Sequence, residues 1–232
     1  MLQKGDDLTM RLDTEKWGVK GGITHSMLCR SKKLNHYIHI ILQHSGIRGN
    51  GLIRAFIAVD LPAEIRENIG GILSELDGVR GVRAVKPSGV HITLKFLGDT
   101  REEVIPALTE SLEGVCFSPF SCSLNGVGVF PSPVKPRVLW IGAEGPFADL
   151  HARIETALSG MGFEKDRREF TAHATVGRVK FLRGEAKNVL ADILAQYRDT
   201  CFGEFGVTGF RLKKSTLSPE GAVYETLHEV RF

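Results

Sequence analysis

Two short stretches carry the residue types best able to do chemistry together. Val90-His91-Ile92-Thr93-Leu94-Lys95-Phe96-Leu97 and Ala172-His173-Ala174-Thr175-Val176 both read His-x-Thr followed by an apolar residue. On a strand, side chains alternate between faces and residues i and i+2 lie roughly 6–7 Å apart on one face, so an imidazole and a hydroxyl address one ligand. Alternation puts Val90, Ile92, Leu94 and Phe96 on a packed face, and His91, Thr93 and Lys95 on the other. In the second stretch Ala172, Ala174 and Val176 pack while His173 stands beside Thr175. Two such strands facing a cleft would surround a phosphorus centre with two imidazoles and two hydroxyls. Hydrolysis of a phosphodiester needs a base for water and an acid for the departing alkoxide, and two histidines titrating at about 6.5 fill both roles near neutral pH. Threonine hydroxyls donate to the non-bridging oxygens, where a cation stabilises developing charge. Lys95 and Arg178 are the cations nearest the motifs. Strict alternation turns Arg178 away from His173 and Thr175, but a bulge at Gly177 would re-aim it towards phosphate.

A lone His-x-Thr strand reads as the solvated face of a half-buried sheet. Here the pattern occurs twice, and His25, His36, His39, His44, His151 and His228 all lack a Ser or Thr two residues later. The repeat in two strand-like contexts favours chemistry.

The elements around the motifs begin abruptly. Up to about residue 51 no period of 2 or 3.6 is sustained, and residues 1–51 read as a weakly structured extension or a mis-assigned start. Ile53 to Asp60 is then a buried strand, and Leu61-Pro62 opens a helix with Ile65, Ile69, Ile72, Leu73 and Leu76 at helical spacing. Further strands are expected at 82–86, 90–97, 118–129, 136–143, 170–177, 205–213 and 222–231, and helices at 62–76, 101–114, 146–160 and 185–197. The interleaving predicts an α+β fold with mixed or antiparallel sheets over residues 52–232. No Gly-x-Gly-x-x-Gly or P-loop pattern follows a strand, so nucleotide cofactors lack support.

Composition excludes several classes of protein. The 232 residues are 42% hydrophobic and 25% charged, ordinary for a globular chain. No apolar run approaches the length of a membrane span. Net charge is +3, but residues 1–51 hold eight basic and four acidic side chains, which leaves the remainder slightly acidic. Anion recognition in the body must therefore come from a local cluster. Cys29, Cys116, Cys122 and Cys201 form no zinc or redox spacing, and each reads as a small buried hydrophobe in a reducing cytoplasm. The four N-terminal histidines lack acidic or Cys partners, so metal is not expected there.

At the two motifs the sequence resembles the two-histidine (2H) phosphoesterases, specifically the RNA 2',3'-cyclic phosphodiesterases also called 2'-5' RNA ligases. The resemblance rests on Arg54-Ala55-Phe56-Ile57-Ala58-Val59-Asp60-Leu61-Pro62, on His91-Ile92-Thr93-Leu94-Lys95-Phe96-Leu97-Gly98 and on His173-Ala174-Thr175-Val176-Gly177-Arg178, in the family's order and spacing. It covers about residues 53–232 and leaves residues 1–51 without counterpart. It implies a bilobal, pseudo-symmetric fold with two sheets lining a central cleft and helices outside. It also implies hydrolysis of RNA 2',3'-cyclic phosphate ends to 2'-phosphomonoesters, with reversible 2'-5' ligation as a companion reaction. His91 would be the proton donor and His173 the acceptor, with Thr93, Thr175 and Arg178 holding phosphate and no metal or cofactor needed. The substrate could be a tRNA fragment or a small cyclic nucleotide, with no membrane or obligate protein partner. Two other readings remain: an idle module that only binds RNA phosphate ends, and a metallohydrolase built on the N-terminal histidines.

Residues outside the motifs carry weaker signals. Phe56, Phe130 and Trp140 could stack on a base, although their apolar neighbours suit core packing. Lys135 and Arg137 sit in a Pro-rich loop where they could touch a backbone phosphate or simply be solvated. His151 reads as a surface residue of a helix, and Lys165 to Arg168 as a solvated turn of mixed sign.

Overall fold

The computed structural model describes residues 51–166, 168–219 and 221–232. The N-terminal extension, with His25, His36, His39, His44 and Cys29, lies outside the described residues.

Nine strands and five α-helices are described: β1 (Leu52–Asp60), α1 (Ala63–Asn68), α2 (Gly70–Asp77), β2 (Val82–Ala84), β3 (His91–Arg101), α3 (Ile105–Glu113), β4 (Phe120–Phe130), β5 (Val138–Glu144), α4 (Phe147–Ala157), β6 (His173–Val179), α5 (Ala186–Gln196), β7 (Cys201–Val207), β8 (Gly209–Ser218) and β9 (Gly221–Arg231). The expected helix at 62–76 is two, because the chain breaks at Ile69, yet its predicted apolar positions are all buried. The expected strand at 205–213 is also two, β7 and β8, separated by Thr208. No described helix is long and apolar enough to cross a membrane.

The strands form one antiparallel sheet in the order β7-β4-β5-β6-β3-β1-β8-β9, with β2 pairing β6 beyond the end of β3. The sheets expected from the sequence are thus two four-strand arms of a single sheet. They meet where β3 and β6 pair at one position, Ile92 opposite Ala174. Both residues are fully buried. The order is palindromic about this junction, so that β3 matches β6, β1 matches β5, β8 matches β4 and β9 matches β7.

The helices tie the arms together. α1 and α2 follow β1 yet pack on β7, β2 and β6, whereas α4 follows β5 yet packs on β3. Each arm is therefore covered in part by the other's helices, and one apolar cluster runs through both. β1 shows why the centre holds: Ala55 to Val59 are all buried, as expected of a strand covered on both faces.

Register shifts in the two motif strands fall at equivalent places. In β3 the pairing with β1 skips Leu94 and Leu97, and in β6 the pairing with β5 skips Val176. A bulge after His-x-Thr inverts the alternation beyond it. Strict alternation therefore fails for the two residues after Leu94. Phe96, expected on the packed face, is 65% exposed and pairs with Phe56; Lys95, expected beside His91, is buried beneath the helices. Its ammonium donates to Glu155 of α4 at 2.5 Å and to the Glu164 carbonyl at 2.8 Å.

The junction side chain Ile92 has no accessible surface to relax into. Ile92→Ala is expected to cost about 2–5 kcal/mol, the range for deleting a buried aliphatic side chain. Equilibrium urea unfolding checks this, and a loss under about 0.5 kcal/mol, the scale of a surface substitution, would show that the junction is not packed as described.

Candidate active site

β3 and β6 run antiparallel, so continuing the Ile92–Ala174 register by one residue either way sets His91 beside Thr175, and Thr93 beside His173. Residues opposite one another in an antiparallel pair share a face. The four motif side chains thus share one face, while Ile92 and Ala174 between them point into the core. All four are half-buried.

Two adjoining compartments open on this face. One, of about 270 Å3, is lined by His91, Thr93, Thr175, Arg178, Phe56 and Tyr224 among others; the second, of about 580 Å3, is lined by Thr93, Phe96, Phe130, Phe170 and His173 among others. They share Thr93 and Phe96.

The rings are oriented alike. His91 Nδ1 lies 2.8 Å from the Gly89 carbonyl and His173 Nδ1 lies 2.7 Å from the Thr171 carbonyl, each two residues back along the chain. A carbonyl only accepts, so Nδ1 donates in both rings and Nε2 is the nitrogen left for proton transfer. Aromatic packing fixes the ring planes. Phe56 and Tyr224 lie 4.9 Å from His91, and Phe130 stands edge-on to His173 at 5.1 Å with Trp140 behind it. Phe56, Phe130 and Trp140 thus support the histidine rings. Trp140 also lies flat on Gly128, where a Cβ would meet its ring at 2.2 Å.

Arg178 joins the site as the bulge expectation required, with the shift at Val176 rather than Gly177. Gly177 is buried, Arg178 is exposed, and Arg178 lines the His91 compartment. Lys95 lines the His173 compartment but offers no free cation to phosphate, because its ammonium is held by Glu155 and the Glu164 carbonyl.

The matching halves differ around their histidines. Opposite His91 stands Asp60, whereas opposite His173 stands Gly142. Lys213 donates to both Asp60 oxygens at 2.7 and 2.8 Å, and Arg211 donates to one at 2.7 Å. Burial pushes the Asp60 carboxyl up, but the bonds and charges of Lys213 and Arg211 outweigh it and hold the carboxyl below its ordinary value. The His91 pKa is lowered to about 4 by all its surroundings together, and burial is the largest influence. Lys213 and Arg178 act in the same direction, against opposing effects of the Gly89 carbonyl and Asp60.

Sequence reasoning missed Tyr224 and Lys213, which reach the site only through strand pairings remote in sequence, and Phe170, in the segment just before β6. It also placed His151 at the surface. That ring is stacked on Phe170 at 4.5 Å and lies 3.2 Å from Asp166 and 3.6 Å from Glu155, with its side chain 13% exposed. His151, Glu155 and Asp166 form a group whose spacing could suit a metal ion, but the Lys95 ammonium already pairs with Glu155 within it. Of the cysteines, Cys122 is buried as expected, while Cys116 and Cys201 are exposed.

The model of the LigT-like phosphoesterases matches this sequence over residues 59–140 and 142–224, which include both motifs. The chain belongs to that family. An Archaeoglobus fulgidus protein named RNA 2',3'-cyclic phosphodiesterase is 46% identical over 177 residues, covering 75% of this chain and 98% of its own length. A protein of the same name from Methanocaldococcus jannaschii is 36% identical over 178 residues, covering 76% and 99%. A Thermus thermophilus crystal structure superposes with a TM-score of 0.63 at 32% identity, covering 77% of this chain and 97% of its own. All three stop short of the full chain, and the family match begins at Val59.

The low pKa of His91 has a stability consequence of definite sign. A histidine held neutral in the fold but titrating at about 6.5 when unfolded contributes fully above pH 6.5, and that contribution is lost as pH falls towards 4. The loss is about 3 kcal/mol at 1.36 kcal/mol per pKa unit. NMR titration of the free protein should place the His91 midpoint near pH 4, and His91→Gln should flatten the fall in unfolding free energy between pH 6.5 and 4. A His91 midpoint at or above 6 would contradict this account of its surroundings.

Proposed function

We propose that the protein hydrolyses the 2',3'-cyclic phosphate end of RNA to a 2'-phosphomonoester, with His91 and His173 exchanging protons with the reacting oxygens. The observation that carries this reading is the single pairing of Ile92 with Ala174. It brings two His-x-Thr pairs to one face, each imidazole anchored through Nδ1 with Nε2 free.

In this reading water attacks phosphorus and His173 Nε2 takes its proton. The bond from phosphorus to O3' breaks, and His91 Nε2 protonates O3' to leave a 3'-hydroxyl and a 2'-phosphate. Thr93 and Thr175 donate to the non-bridging oxygens, and Arg178 balances the charge that grows there. The two arms of the sheet act as the two lobes of the cleft. Both proton transfers go through imidazoles, so the scheme needs no metal or cofactor.

The division of labour follows the family resemblance, and the asymmetry around His91 bears on it. A donor must be protonated at the start of the step, yet His91 in the unliganded cavity is held neutral by burial and by the charges of Lys213 and Arg178. The anionic phosphodiester reverses that balance by placing negative charge beside the ring, so substrate binding raises the His91 pKa and creates the acid. The same steps with a 5'-hydroxyl in place of water would give 2'-5' ligation, and their reversal would cleave that linkage. The natural end could belong to a tRNA fragment or to a small cyclic nucleotide.

Steady-state hydrolysis of an oligoribonucleotide ending in a 2',3'-cyclic phosphate, in excess EDTA, tests the reading. His91→Ala and His173→Ala should each lower kcat by about 10²–10⁴, the usual scale of general acid–base catalysis, with the folded state retained at pH 7 by circular dichroism. The product should carry its phosphate on the 2'-oxygen. Full activity in either variant, or binding of the oligonucleotide without turnover by the unsubstituted protein, would overturn it.

A further inference from the structure

Beyond the catalytic face, the end of β6 and its neighbours form a surface built from three stretches rich in cations. Residues 79–90, 131–138 and 176–184 contain no Asp or Glu, although the chain from residue 52 onward holds slightly more acidic than basic side chains. The first stretch supplies Arg80, Arg83 and Lys86. The second supplies Lys135 and Arg137, and the third Arg178, Lys180 and Arg183. The fold gathers the three: Arg83 of β2 lies opposite Arg178 of β6, which lies opposite Val138 of β5. All eight cations are exposed. None forms an ion pair with a described carboxylate.

Two like charges directly opposite one another in an antiparallel pair are unfavourable. Arg83 and Arg178 are such a pair. Arg83 donates to the Pro219 carbonyl at 3.3 Å and Arg137 donates to the Lys180 carbonyl at 3.3 Å, both neutral acceptors. The surface also leads somewhere at each end. Arg178 lines the His91 compartment, while Arg80 and Arg183 line a groove of about 510 Å3 in which Glu185 is the only acidic lining residue. The compartment beside His173 instead mixes signs, with Asp166 and Glu169 on its wall together with Lys95 and Arg168.

We propose that this face is a track for the RNA backbone 5' to the terminal cyclic phosphate, running from Arg178 over Arg83 to the groove at Arg80 and Arg183. The inference rests on the phosphodiesterase reading of the cavity and adds that the substrate is a polynucleotide. The contacts are to phosphates and carry no sequence preference.

The test compares a ten-nucleotide RNA ending in a 2',3'-cyclic phosphate with a mononucleoside 2',3'-cyclic phosphate, each across a salt series. It uses the unsubstituted chain and the triple variant Arg80→Gln, Lys180→Gln, Arg183→Gln, none of which lies among the motif residues. For the oligonucleotide the variant should raise KM about tenfold or more with kcat unchanged. The slope of log kcat/KM against log salt should become shallower by about 2, since each single-strand phosphate contact contributes about 0.7. The mononucleotide should show no change. Equal salt dependence for both substrates, or a triple variant that leaves the oligonucleotide unaffected, would overturn the track. Binding of the same RNA ending in a plain 3'-hydroxyl, read by fluorescence anisotropy, separates the two ideas. The triple variant should weaken this binding whether or not the protein turns over cyclic phosphate, and unchanged binding counts against the track alone.

Discussion

Everything at the candidate site depends on one residue pair, Ile92 opposite Ala174, where the two arms of the sheet meet. An antiparallel pairing relates its strands by an approximate two-fold axis, so two copies of one motif meeting there present the same groups from opposite directions. Had the strands met one residue out of register, every motif side chain of one strand would point into the core. The apolar residues between His and Thr are thus as much a part of the site as the polar ones. Ile92 and Ala174 are buried so that their neighbours face the cavity.

The two-fold relation sets up a pair of equivalent imidazoles, and their surroundings then make them unequal. Both are tied by Nδ1 to a carbonyl two residues back, which leaves equivalent nitrogens available. The Asp60, Lys213 and Arg211 cluster adjoins His91, whereas Gly142 occupies the matching place near His173. The bulges after the motifs diverge in the same way, for one exposes Phe96 and the other exposes Arg178. Both compartments are aromatic, and Arg178 lines only the one beside His91. A reaction that needs one acid and one base gains from such a difference, because two identical imidazoles would compete for the same proton.

Much of this was legible in the sequence, and the failures have identifiable causes. The motif strands, the α+β class and the helix that follows β1 were read from periodicity, which local packing enforces. Phe96 and Lys95 were assigned to the wrong faces because a register shift at Leu94 leaves no mark in an alternating pattern; only the pairing with β1 reveals it. Arg178 was reached because Gly177 signalled a bulge. Tyr224 and Lys213 lie more than a hundred residues from His91 in the chain and carry no local signal. His151 was misplaced because a helix surface looks solvated until the segment bearing Phe170 folds over it.

The central claim is that the two histidines divide one acid and one base between them. A substrate whose 3'-bridging oxygen is replaced by sulfur tests it most directly, since a thiolate leaves without a proton. On this substrate, measured in EDTA, His91→Ala should recover most of the turnover it loses on the oxygen substrate, while His173→Ala should remain inactive. Equal recovery in both variants, recovery in neither, or recovery in His173→Ala alone would contradict the account.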